Sequence, residues 1–232
     1  MQDNLRQIQD RIAAALTRSG RPPNSVTLVG VSKTQAAAKV VELARLGLRH
    51  FGENYVQEWR RKRLEIEKTD PALAAELHWH FIGHLQSNKA KEALGAELIH
   101  SVDSLKLARK LSEAAVQSGR KQDLLWELNL AGEASKTGMS PAELKRDWAA
   151  YAALPALDWR GLMTMPPPAE DPEASRPYFR QLKSLLDETR ASGFFGEGLV
   201  ELSMGMSQDY EVAVEEGATL VRVGSRLFGP RL

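Results

Sequence analysis

The sequence predicts an α/β protein: a single (β/α)8 TIM barrel with an extra N-terminal helix, one domain over 1–232. Three observations carry that prediction. Eight short strands alternate with helices along 232 residues, a usual length for one such barrel. The strands are apolar runs, as a sheet covered on both faces requires. The residues with chemistry fall just after the strands, where barrels keep their working groups.

The elements follow in order. Leu5, Ile8, Ile12, Ala15 and Leu16 recur at helical spacing, which predicts an amphipathic helix over 3–19 and not a secretory leader. Strand one is 26–31, and a helix over 36–46 ends at Gly47. Strand two is 48–51, and Asn54 can cap a helix over 54–67. Strand three, 78–82, leads to a helix over 87–94 closed by Gly95. Strand four is 97–100, and Ser104 caps a helix over 104–117. After strand five, 123–128, Ser140 and Pro141 supply the cap and first turn of a helix over 140–153. Strand six is 159–164; the Pro-rich, acidic stretch 165–177 reads as a loop, leading into a helix over 173–191. Strand seven is 199–202, a helix covers 207–216, strand eight is 219–223, and a short turn or helix runs on to Leu232. An open doubly wound sheet is the alternative, but a Gly-rich fingerprint would then follow strand one, where V-S-K-T stands.

Composition removes several classes of function. Lys+Arg number 31 against 30 Asp+Glu, so the net charge of +1 provides no field for nonspecific binding of nucleic acid or an anionic membrane. With no cysteine, disulfides, thiolate metal sites and a cysteine nucleophile are excluded. No run approaches the length of a membrane span, and a cytoplasmic protein is expected.

The strand ends locate the chemistry. In barrels, a phosphate site is commonly built after strands seven and eight. S-M-G-M-S at 203–207 and V-G-S-R-L-F-G at 223–229 stand there, with small residues that let backbone amides approach and hydroxyls that donate. Either loop alone reads as a glycine turn; the pair, with Ser207, Gly224 and Ser225, reads as a phosphate site. Lys33 follows strand one, next to strand eight once a barrel closes. A lysine amine forms Schiff bases with carbonyls, so Lys33 and the loops together suit a phosphorylated aldehyde. Arg222 either packs in a salt bridge or, beside pyridoxal phosphate (PLP), faces the pyridine nitrogen. As a permanent cation and donor it would leave that nitrogen unprotonated. The pattern His78-x-His80 could begin a metal site, but strands five and six offer no further histidine and strand eight offers Arg222 and no aspartate. His80 therefore lines the pocket floor or holds a hydrogen-bonded core position.

These residues resemble a known family. V-S-K-T at 31–34, F-G-E-N-Y-V-Q-E at 51–58, H-F-I-G-H-L-Q-S-N-K at 80–89, G-L-M-T-M at 161–165, S-M-G-M-S-Q-D at 203–209 and R-V-G-S-R-L-F-G at 222–229 are similar to the pyridoxal phosphate homeostasis proteins. The resemblance implies a barrel like the N-terminal domain of alanine racemase, with PLP as an internal aldimine on Lys33. It implies phosphate contacts from Ser207, Gly224 and Ser225, Arg222 near the ring nitrogen, and Asn54 beside the ring, with His80 counted in the cofactor site. It implies maintenance of intracellular vitamin B6 rather than a dedicated reaction. The implied partners are PLP, other B6 vitamers and apo forms of PLP enzymes, for a monomer or weak dimer.

Two features depart from the pattern. Gln35-Ala36 stands where the family often has Lys-Pro. T-G-M at 137–139 is followed by Ser140-Pro141, where racemase barrels place an Arg. A PLP-dependent racemase or decarboxylase is the alternative. Such enzymes add a β-rich second domain, for which a chain ending after strand eight leaves no room, and Tyr55 and Tyr210 are weak acid–base candidates. A Schiff-base aldolase for sugar phosphates would use the same lysine and loops.

Overall fold

A computed structural model describes residues 1–133 and 136–229. Eight parallel strands close into a barrel in chain order. They are β1 (Thr27–Val31), β2 (His50–Glu53), β3 (His78–Phe81), β4 (Leu98–Val102), β5 (Gln122–Leu128), β6 (Leu157–Thr164), β7 (Glu201–Ser203) and β8 (Leu220–Val223). β1 pairs with both β2 and β8, which closes the sheet and removes its edges. The extra N-terminal helix, Gln2–Arg18, buries the five apolar residues that predict it. Its Arg11 and Arg18 pair with Glu211 and Glu215 of the helix Tyr210–Glu215.

Strand register decides which side chains enter the barrel. Neighbours in register share a face. Val29 stands beside Arg222, His80 beside Leu98, and Met163 beside both Glu127 and Ser203. The inner face therefore holds a small apolar cluster of Val29, Leu98, Leu125, Met163 and Leu220, together with several polar groups. The larger core lies between the sheet and the surrounding helices.

Several boundaries differ from expectation, each for a local reason. β2 starts two residues late because Leu48 N–H bonds back to Leu43 O around Gly47, at φ +98°, and so belongs to the helix cap. Asn54 does not cap a helix: the helix Val56–Thr69 follows Tyr55, without a side-chain cap. The helix over 140–153 is two pieces, Pro141–Arg146 and Trp148–Ala152, although Ser140 and Glu143 form the capping box that its start signals. The helix over 207–216 shrinks to Tyr210–Glu215, because the Asp209 carboxylate accepts from Met206 N–H (2.7 Å) and holds the preceding residues in a turn. The loop of 165–177 ends early: Pro172–Ser175 is a 3-10 turn, and Pro177 lies in the first turn of the helix Arg176–Ala191, where proline is tolerated. A short helix, Pro71–Ala75, was not expected, though Asp70 caps it and Pro71 opens it. The chain closes on the helix Ser225–Phe228; the rest of the expected final turn, at 230–232, lies outside the described residues.

Candidate functional site

A cavity of about 330 Å³ opens at the C-terminal ends of the strands. Lys33, Asn54, Ser207, Arg222, Gly224 and Ser225 all line it, drawn from the ends of β1, β2, β7 and β8. Met165, Ala169 and the prolines between them form an apolar wall on one side. Of the residues assigned to the cofactor site from the sequence, His80 lies elsewhere: its imidazole is 3% exposed inside the barrel and does not reach the cavity, and the acid–base candidates Tyr55 and Tyr210 do not line it either.

The segment carrying Lys33 is tied down on both sides. Ser32 Oγ donates to Glu53 Oε1 (2.6 Å), and Lys62 Nζ donates to Ser32 O (2.5 Å) and to Glu53 Oε1 (2.6 Å). The Lys62 ammonium also lies 2.8 Å from Glu58 Oε1, the same oxygen that accepts from Thr34 N–H at 2.6 Å. Glu53 and Lys62 are fully buried. Burial pushes the Glu53 carboxyl above its ordinary range, and the bonds from Lys62 and Ser32 pull it back. Thr34 sits at φ +65°, an unusual conformation for a β-branched residue, which the surrounding bonds over-determine. In the sequence Glu53 and Glu58 stand within the motif at 51–58, and nothing there singles out Lys62. The available signal was the i, i+4 spacing of Glu58 and Lys62, hidden in a helix crowded with charge.

Two glycines shape the cavity. A Cβ on Gly83 would lie 2.3 Å from Asn54 O and 2.5 Å from its Cα, so the backbone of Asn54 can approach only a glycine. Asn54 Oδ1 is buried, with no hydrogen-bond partner among the described residues. Gly205 has φ +90°, and a Cβ there would lie 2.5 Å from Ala213 Cβ. The turn after it is pinned by Asp209, which accepts from Met206 N–H and from Ser175 Oγ (2.8 Å). Ser225 Oγ donates to Ser207 Oγ at 3.2 Å, bringing the two loops of the expected phosphate site together.

Arg222 forms part of the cavity wall and is 4% exposed. Its Nη1 donates to Ser203 Oγ (2.5 Å) and its Nη2 to Thr164 O (3.0 Å). Burial lowers its pKa to about 10, against the pull of Asp209 and Glu127, so the group remains a cation at neutral pH. Glu127, also buried, accepts from Thr137 Oγ1 (2.5 Å), and burial pushes its carboxyl up. Thr137 belongs to the T-G-M run that lacks the following arginine.

The chemistry at hand is an amine, hydroxyls, backbone amides and a buried guanidinium. Among the described residues no tyrosine lines the cavity, and no cluster of three or more His, Asp or Glu could hold a metal ion. Among the described residues no helix is long and apolar enough to cross a membrane.

The family model described as alanine racemase, N-terminal domain, matches residues 4–231. The pyridoxal phosphate homeostasis protein of Aquifex aeolicus is 43% identical over 99% of this chain and 97% of its own. That of Pseudomonas aeruginosa is 42% identical over 99% of this chain and 95% of its own. Among solved structures, PipY of Synechococcus elongatus with PLP bound superposes with a TM-score of 0.82 at 39% identity, over 96% of this chain and all of that one. An alanine racemase of Clostridium difficile, at 18% identity and a TM-score of 0.71, shares the fold over 60% of its length.

Proposed function

Because the chain belongs to the alanine racemase N-terminal domain family and, within it, to the pyridoxal phosphate homeostasis proteins, we propose that it binds PLP in this cavity and holds it on Lys33. PLP presents an aldehyde, a phosphate and a pyridine nitrogen, and the donor set suits each. Lys33 is the amine for the aldehyde. Ser207, Ser225 and the amides around Gly224 are donors for the phosphate. Arg222 is a fixed cation for the ring nitrogen, and the unpartnered Asn54 Oδ1 is an acceptor beside the ring. His80 acts behind the site rather than in it. The convergence of these groups on one cavity carries the reading.

PLP supplies an electrophilic carbon and an electron sink; the residues here bind and orient it. An arginine donor at the ring nitrogen keeps that nitrogen unprotonated and weakens the sink. With no tyrosine on the cavity wall among the described residues, the arrangement favours holding the cofactor over turning over an amino acid. We read residues 1–232 as one such domain, a cytoplasmic keeper of vitamin B6 that exchanges PLP and related vitamers with apo-enzymes.

The test is an absorption spectrum of the purified protein with added PLP, before and after borohydride, followed by peptide mass mapping. A visible band lost on reduction, with a pyridoxyl mass on Lys33, is expected. A protein that takes up no PLP, or carries it on another lysine, overturns the reading.

A further inference from the structure

A file of polar side chains runs through the inside of the barrel, beside the apolar cluster of Val29, Leu98, Leu125, Met163 and Leu220. Behind Arg222, Ser203 Oγ lies 2.7 Å from His100 Nδ1. His100 Nε2 lies 2.9 Å from His80 Nδ1, and His80 Nε2 lies 3.0 Å from His50 Nδ1. The members come from β8, β7, β4, β3 and β2 in turn, and the file ends at the half-buried His50, stacked on His78. His80 and His100 are held neutral by burial, His80 with its pKa lowered to about 3.

Hydrogen-bond bookkeeping gives the file one direction. Arg222 can only donate. Ser203 Oγ accepts from it; the hydroxyl is wholly buried and, among the described residues, its one other partner is His100 Nδ1, so its proton is satisfied only by donation to that nitrogen. A neutral imidazole that accepts at Nδ1 carries its proton on Nε2. His100 therefore donates to His80 Nδ1, and His80 donates to His50 Nδ1. One obligate donor at the cavity sets three tautomers in sequence. Each bond polarises the next in a low-dielectric interior, so the arrangement is stable only when complete.

We propose that Ser203 is a positioning residue for Arg222 and that the His100–His80–His50 file fixes the direction in which Ser203 bonds, so that the guanidinium is aimed from inside the barrel. The proposal rests on the reading of the cavity as a PLP site. Ser203 and Thr164 O occupy the guanidinium's barrel side, which leaves its remaining N–H groups for the cavity.

The experiment has two readouts. Nitrogen-15 histidine spectra of the protein without added ligand read the tautomers directly. His50, His80 and His100 are expected to carry their protons on Nε2, and Ser203→Ala is expected to shift the ring nitrogens of both His100 and His80. A proton on Nδ1 of His80 or His100 in the unsubstituted protein, or a Ser203→Ala change confined to His100, overturns the directed file. PLP titration is the second readout. Ser203→Ala is expected to bind about ten-fold more weakly, as loss of a bond to a charged group implies, with a displaced absorption maximum and with rescue by Ser203→Thr. If Ser203→Ala does not fold, His50→Phe breaks the file at its far end, and a shift in the His100 ring nitrogens is expected there. Ser203→Ala binding with unchanged affinity and spectrum overturns the positioning role alone. Failure of the unsubstituted protein to take up PLP overturns the reading of the cavity and the positioning role with it, while the tautomers still decide the file.

Discussion

Lys62 Nζ and Glu53 Oε1 lie 2.6 Å apart, both side chains wholly buried, directly behind the residue that precedes Lys33. Removing one member of such a pair strands the other charge in the interior. Lys62→Met is expected to cost about 3–5 kcal/mol, read as a shifted urea midpoint. Lys62→Met combined with Glu53→Gln is expected to recover part of that loss, since no unpaired charge remains. Equal loss in the single and double variants would show that the pair is not what holds this segment.

Lys33→Ala keeps the fold and loses the covalent anchor. The borohydride-stable label should disappear, while weak reversible PLP binding through the phosphate loops remains. A label retained in Lys33→Ala would move the anchor to another lysine.

Gly83→Ala tests the approach of Asn54. The new Cβ meets backbone, not a side chain that can turn away. Overpacking of this kind costs about 1–3 kcal/mol, and displacement of Asn54 should weaken PLP binding as well. Gly196→Ala, with no atom within 4 Å of the added methyl, is the control and is expected to leave both thermal stability and binding unchanged.

The histidines predict an acid-sensitive fold. In the folded protein His80 titrates near 3, against 6.5 ordinarily, and His100 is lowered too, both by burial. Below pH 6.5 the unfolded chain takes up protons that the folded chain refuses. Stability is therefore whole above that value and falls as pH drops toward 3, by about 1.4 kcal/mol per unit for each fully coupled proton. Urea unfolding at pH 7.5, 6 and 5 reads the slope. A flat profile would mean that the imidazoles are open to water.

Much of the site was legible in the sequence because barrel topology sends strand ends to one face. Lys33, Asn54, Ser207, Arg222, Gly224 and Ser225 each follow or end a strand, and order along the chain becomes order around the cavity. The groups behind the site were less legible. Lys62 sits among exposed charges on one helix, and only its burial distinguishes it. His50, His80 and His100 lie on three strands, and nothing in their spacing says that the rings touch.

The sequence by itself determined the alternation of strands and helices, the capped helix starts at Ser104 and Ser140, and the identities of the groups that meet at the cavity. Those signals are local: periodicity, caps, and apolar runs ended by small or charged residues. Only the tertiary structure decided that His80 belongs to the barrel interior and not to the cavity, that Asn54 faces the cavity and does not cap a helix, and that Ser203 joins an arginine to a line of histidines. Those outcomes depend on strand register and on closure of β1 against β8. Register sets which side chains share the inner face, and closure brings β2, β3, β4, β7 and β8 within hydrogen-bonding distance across a space that no single stretch of sequence describes.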